Sequence, residues 1–170
     1  MTPAPTIRQE TAADIGAIDR LTRAAFLHAA HTDHTEQFIV RALRAAGALS
    51  VSLVAELDGE LIGHGAASPV RISDGTPRWY GLGPVSVAPG HQRQGVGSRL
   101  ITELLAALRQ LGAAGCVVLG EPAYYGRFGF RAESALVLPG VPPAYFQALV
   151  LEGALPSGSV SYHPAFDARS

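Results

Sequence analysis

The 170-residue sequence contains no lysine and no asparagine, and a single cysteine. One cysteine excludes an intrachain disulfide. Cys116 lies in the apolar run AAGCVVLG, where a small buried side chain is expected rather than a nucleophile. All 13 basic residues are arginine, scattered along a chain of net charge −1. That balance gives no general nucleic-acid footprint, so any bound anion is expected to be held locally. No apolar run approaches the roughly 20 residues a bilayer span requires. The opening MTPAPTIRQETAAD lacks the basic-then-apolar order of a signal peptide, which predicts a cytoplasmic protein with no membrane partner.

What is present, 48% hydrophobic residues in a chain of this length, fits one α/β domain over residues 1–170. TIRQETAADIGAIDRLTRAAF predicts a short strand, then a helix capped by Thr11, with Ile15, Ile18, Leu21 and Ala25 inward. A second helix is expected over residues 36–46, with Phe38, Ile39, Ala42 and Leu43 inward and Gly47 as its stop. Two β-rich runs joined at Asp58-Gly59 predict an antiparallel hairpin. The run WYGLGPVSVAP predicts another strand, and Pro84 inside it demands a bulge or a break in pairing, because proline cannot donate to a ladder. A helix over residues 94–111, with a leucine-rich stripe ending at Leu111, leads to the strand GCVVLG, so these two strands should be parallel. Beyond them are expected a short helix ending at Gly129, strands near 131–138 and 145–151, and an extended SVSYHPAF.

The stretch VAPGHQRQGVGSRL places Gly95 and Gly97 where that long helix begins. Glycine costs roughly 1 kcal/mol relative to alanine inside a helix. At a helix N-terminus it instead opens the unpaired N–H groups to a close-lying anion such as a pyrophosphate, with Ser98 adding a hydroxyl. A Walker loop is excluded by the absence of lysine. The dinucleotide fingerprint fails because Leu100 stands where a third glycine or alanine belongs.

Gln92-Arg93-Gln94-Gly95-Val96-Gly97 resembles the Q/R-x-x-G-x-G/A motif of the GNAT superfamily of N-acetyltransferases. LGPVSVAPGHQRQGVGSRLI is similar to that family's fourth strand and following helix, and YYGRFGF to its Y-x-x-x-G-F segment. VVLGEPAYYGRFGF and the terminal YHPAF resemble the YhbS-like members in particular. The resemblance implies a GNAT acyl-CoA N-acyltransferase fold. This is an α/β (α+β) mixed sheet, mostly antiparallel, with a splayed parallel fourth and fifth strand and flanking helices, and its cofactor-binding core lies at about residues 79–130.

The resemblance also implies roles. The backbone of Gln94, Gly95, Val96, Gly97 and Ser98 would hold the pyrophosphate of acetyl-CoA. Arg93 and Arg99 would contact phosphates or simply lie on a solvated helix end. Val85 and Val87 would bond the pantetheine arm, with the Val87 N–H also a candidate for polarising the thioester carbonyl. A neutral amine would attack the thioester directly through a tetrahedral intermediate. Tyr125, four residues before Gly129, would donate to the departing thiolate, or else serve as a core aromatic; Tyr124 is its backup or lines the acyl pocket. Arg127 would reach the 3′-phosphate of CoA. Many members carry an asparagine after the fifth strand. Here GEP stands instead, and Glu121 is either a base acting through water or a cap of the short helix.

His28, His31 and His34, with Asp33 and Glu36 nearby, suggest either a metal set or a polar loop bordering the acceptor cleft; no metal is expected. His64 reads as a strand residue facing the cleft, a core histidine or a base. Asp33, Glu36 and Asp74 suit a cationic amine or a solvated surface equally. The expected activity is acetyl transfer to a primary amine of a small molecule or peptide. The alternatives are a non-catalytic acyl-CoA-binding sensor, or an acyltransferase using a longer chain or a protein acceptor. Family habit adds the expectation of a homodimer.

Overall fold

The computed structural model describes residues 4–29 and 32–170. Its strands are β1 (Thr6–Gln9), β2 (Val51–Leu57), β3 (Glu60–Ile72), β4 (Trp79–Val87), β5 (Gly115–Leu119), β6 (Leu136–Val137), β7 (Phe146–Val150) and β8 (Gly158–Tyr162). The helices are α1 (Ile15–Phe26), α2 (Glu36–Ala45), α3 (Val96–Gln110) and α4 (Pro122–Tyr125). The main sheet runs β1-β2-β3-β4-β5-β7, while β8 pairs with the far end of β3 and with β6. Neighbours along the main sheet are antiparallel except β4 and β5, which are parallel and joined by α3. The expected mixed sheet is met. No helix among the described residues is long and apolar enough to cross a membrane.

Local chemistry fixes most boundaries. Asp58 and Gly59 both take positive φ, 52° and 79°, giving the two-residue turn whose twist matches an antiparallel hairpin. The Asp14 carboxylate accepts from the Thr11 N–H at 2.7 Å and binds Arg8 at 2.7 Å, which fixes the entry to α1. α3 begins at Val96, two residues later than expected, because Arg93 and Gly95 adopt left-handed backbone with φ of 63° and 85°.

The stripe of α3 formed by Leu100, Ile101, Leu104, Leu105 and Leu108 is buried against the sheet. A Cβ on Gly63 or Gly65 would stand 2.9 Å or 2.8 Å from the Leu100 or Leu104 side chain, so glycines in β3 let the helix approach closely. Cys116 is buried and its thiol pKa is pushed far up by desolvation, which leaves it inert.

Several expectations are corrected. Ile15 and Leu111 are exposed, because Ile15 opens α1 and Leu111 lies past the end of α3. In α2, Val40 rather than Phe38 is buried; the Phe38 ring lies under the Arg41 guanidinium, 5.3 Å away. The strand expected at 131–138 is reduced to β6 and an isolated bridge between Arg131 and Ala148. After β8 the chain turns instead of extending. Pro164 starts a short 3₁₀ turn, and His163 Nδ1 accepts from the Ala165 N–H at 3.0 Å.

Candidate active site

β4 and β5 pair only through Trp79–Gly81 and Gly115–Val117, and then separate. The separation begins next to Pro84. Between the pairs Gly65–Val85 and Ala67–Leu82, the two residues Gly83 and Pro84 stand opposite the single Ala66, a β-bulge of the kind the proline demanded. The Ala88 N–H donates to the Ile62 carbonyl at 2.8 Å, so in this antiparallel register residues 62, 64, 86 and 88 exchange ladder bonds. The alternate residues Val85 and Val87 therefore aim their N–H and C=O groups away from β3, toward the opened edge. Of these, the Val87 carbonyl already accepts from Gln92 Nε2 at 3.1 Å.

The first intrahelical bond of α3 runs from the Arg99 N–H to the Gly95 carbonyl at 3.1 Å, which leaves the N–H groups of Val96, Gly97 and Ser98 outside the ladder. These groups and the gap between the strands bound a cleft of about 560 Å³. Val85, Val87, Arg93, Gly95, Val96, Gly97, Ser98, Tyr125 and Arg127 all line it. Its far wall is tied to α3 by side chains. Arg127 donates to the Ser98 hydroxyl at 3.0 Å and lies over the Tyr124 ring at 4.7 Å, and the Tyr124 and Ser98 hydroxyls are 3.2 Å apart. Two arginines and a helix N-terminus thus make one end of the cleft electropositive, chemistry that suits an anion. Burial pushes the Tyr125 phenol up to about 12, helped by its neighbours Tyr124 and Cys116, so it carries its proton throughout the neutral range.

A second cavity, of about 630 Å³, adjoins the first and shares Phe26, Val85 and Tyr125 with it. Its remaining wall comes from α2, from Leu82 to Pro84, from Leu119 and Leu138, and from Tyr162 and the turn after it.

Three residues singled out from the sequence lie elsewhere. Gln94 is exposed and is not part of the cleft wall. Arg99 donates to the Pro5 carbonyl at 2.6 Å, holding the start of β1 instead of facing the cleft. Glu121 is exposed, lines neither cavity, and makes no side-chain cap on α4; only its carbonyl serves there, accepting from the Tyr124 and Tyr125 N–H groups.

His64 does not face the cleft. It is fully buried, 2.8 Å from the Ser52 hydroxyl, which itself donates to Glu10. That geometry makes Nε2 the protonated nitrogen, and burial lowers the imidazole pKa to about 4. His28 and His34 are exposed, and His31 lies outside the described residues. Among the described residues no group of three or more His, Cys, Asp or Glu side chains is arranged to hold a metal.

The sequence reading missed Phe26, Ser86, His91 and Gln92 as cleft residues. Gln92 and His91 adjoin the glycine motif and were within reach. Phe26 and Ser86 depend on how α1 docks on β4, which no local signal specifies.

Residues 16–130 match the profile of the Acetyltransferase (GNAT) family. The chain belongs to this family. It is 36% identical to the uncharacterized N-acetyltransferase YhbS of Escherichia coli strain K12, an alignment covering 95% of this chain and 98% of that protein. The crystal structure of a GNAT family acetyltransferase from Brucella melitensis, in complex with acetyl-CoA, superposes with a TM-score of 0.86 at 49% identity, covering 96% of this chain and 98% of that one. The YhbS structure from Escherichia coli, in complex with CoA, superposes with a TM-score of 0.87 at 34% identity, covering 100% and 97%. The YhbS-like resemblance read from the motifs is thereby met, and so is the GNAT fold.

Proposed function

We propose that this protein is an acetyl-CoA-dependent N-acetyltransferase that acylates a primary amine of a small molecule or peptide, with Tyr125 as general acid. The observation that carries this reading is the meeting of two cavities at Val85 and Tyr125, where the sheet has opened. One cavity has an anion-binding end and an unpaired strand edge, and the other is suited to a separate reactant. The residues present fit the cofactor. The free N–H groups of Val96, Gly97 and Ser98, with Arg93 and Arg127, would take its phosphates. The outward main chain of Val85 and Val87 would bond its amide-bearing arm as an added strand.

Acetyl-CoA bound there would supply an acetyl thioester, open to attack by a neutral amine and able to release its sulfur as the thiolate of CoA. The Val87 N–H is free of the β-ladder and would donate to the carbonyl oxygen as charge develops on it. The Tyr125 hydroxyl holds the proton that the departing sulfur needs and regains it from solvent, while the amine releases its own proton before and after attack. Glu121 has no part in this reading.

The test joins calorimetry with acetyl-CoA to a thiol-release assay over an amine panel. The reading expects saturable binding and amine-dependent release. Binding without release from any amine would favour the non-catalytic sensor, and absence of binding would refute both. The acceptor class is read from the second cavity below.

A further inference from the structure

We propose that the second cavity selects a protonated primary amine carried on an apolar or aromatic body, bearing no carboxylate or phosphate, and that Glu36 is the residue that holds its ammonium group. The inference rests on the proposed function, because it takes this cavity as the acceptor side of the Val85–Tyr125 junction.

The cavity is largely apolar, with Phe26, Ile39, Leu82, Leu138, Tyr162 and Phe166 in its wall. Its only acidic side chains are Glu36 and Asp167, and no arginine lines it among the described residues. Lysine is absent from the whole sequence. The histidine of the wall, His163, has its Nδ1 occupied as the acceptor from Ala165, which puts the ring proton of the neutral imidazole on Nε2.

Glu36 carries the decisive atom. Its Oε2 accepts from the Thr32 hydroxyl, but its Oε1 is shut off from solvent and has no hydrogen-bond partner among the described residues. A carboxylate oxygen removed from water without a donor is costly, and rotation of the carboxyl group toward the cavity would let a primary ammonium supply the missing N–H groups. The aromatic wall would cover the body of such a ligand. A carboxylate or phosphate on the same ligand would meet two like charges and no arginine to offset them, which penalises free amino acids and phosphorylated amines.

The experiment titrates CoA-saturated protein calorimetrically at neutral pH with three probes of one shape: 2-phenylethylamine, phenylalanine and 2-phenylethanol. The wild type should bind the amine roughly tenfold or more tighter than either of the others. Glu36→Gln should lose about tenfold for the amine, leave the alcohol unchanged, and keep its CoA affinity and melting temperature. Equal or better binding of phenylalanine, undiminished amine binding by the variant, or no binding of any probe to the CoA complex would overturn the inference. Failure of CoA itself to bind is a separate result that removes the proposed function first and this inference with it.

Discussion

Arg127 reaches across the mouth of the cleft to donate to the Ser98 hydroxyl at 3.0 Å, joining the segment after β5 to the first turn of α3. The contact holds a guanidinium beside a helix N-terminus, and the two positive features together favour a bound anion. Arg127→Ala should weaken CoA binding by about tenfold and narrow the affinity gap between CoA and 3′-dephospho-CoA. Calorimetry with both ligands checks this, and an unchanged gap would assign Arg127 to structure alone.

Gly97 and Gly95 play different parts and should be separable by mutation. A Cβ on Gly97 would stand 3.4 Å from the Tyr124 hydroxyl and 3.6 Å from Val87, an ordinary contact that nevertheless enters the cleft. Gly97→Val should therefore lose more than about tenfold in CoA affinity with little change in melting temperature. Gly95 has open space around it but a φ of 85°, so Gly95→Ala should cost roughly 1–2 kcal/mol of stability through backbone conformation. Denaturant titration and calorimetry on the two variants distinguish the effects.

The Tyr125 ring lies directly over Gly120, where a Cβ would come within 2.4 Å of it. Gly120→Ala must displace the ring. The expected result is a fall in kcat of roughly a hundredfold, with CoA affinity within a factor of about three of wild type, because small displacements of a reacting group are costly while the phosphate site is untouched. This packing also gives a physical reason why a larger residue does not stand at Gly120, in the region where many family members carry asparagine.

His64 predicts a stability profile. Its ordinary pKa of 6.5 falls to about 4 in the fold through burial, with Glu10 opposing and Arg44 adding to the shift. Between these values the unfolded chain binds a proton that the folded chain does not. Stability is thus full above about pH 6.5 and falls as pH drops toward 4, by up to about 1.4 kcal/mol per pH unit. Glu10 contributes a further loss at lower pH. Burial opposes its ionisation, yet hydrogen bonds from Arg44 and Ser52 hold its pKa below normal. Chemical denaturation of wild type and His64→Gln across this range should show a shallower limb in the variant.

What the sequence revealed was governed by how local each signal was. The Asp58-Gly59 turn, the glycine motif at the start of α3 and the stripe of α3 are properties of a few adjacent residues, and all could be read directly. Pro84 announced the break in β4 because a missing N–H matters wherever the strand lies. The exact start of α3 was hidden by Arg93, a residue whose type does not reveal its positive φ. Arg99 was misleading because its partner, the Pro5 carbonyl, is distant in sequence. The second cavity was illegible for the same reason at larger scale: α1, α2, β4 and the turn after β8 each contribute a few side chains, and only their docking brings Glu36 into the wall of the cavity that Val85 and Tyr125 also line.

The central claim is that acyl transfer occurs where Val85 and Tyr125 separate the two cavities. It is tested most directly by steady-state thiol release from acetyl-CoA with an accepted amine, comparing wild type with Tyr125→Phe beside calorimetric CoA affinity. The account predicts a loss in kcat of about a hundredfold or more with CoA affinity unchanged. A Tyr125→Phe protein that turns over at the wild-type rate would contradict it.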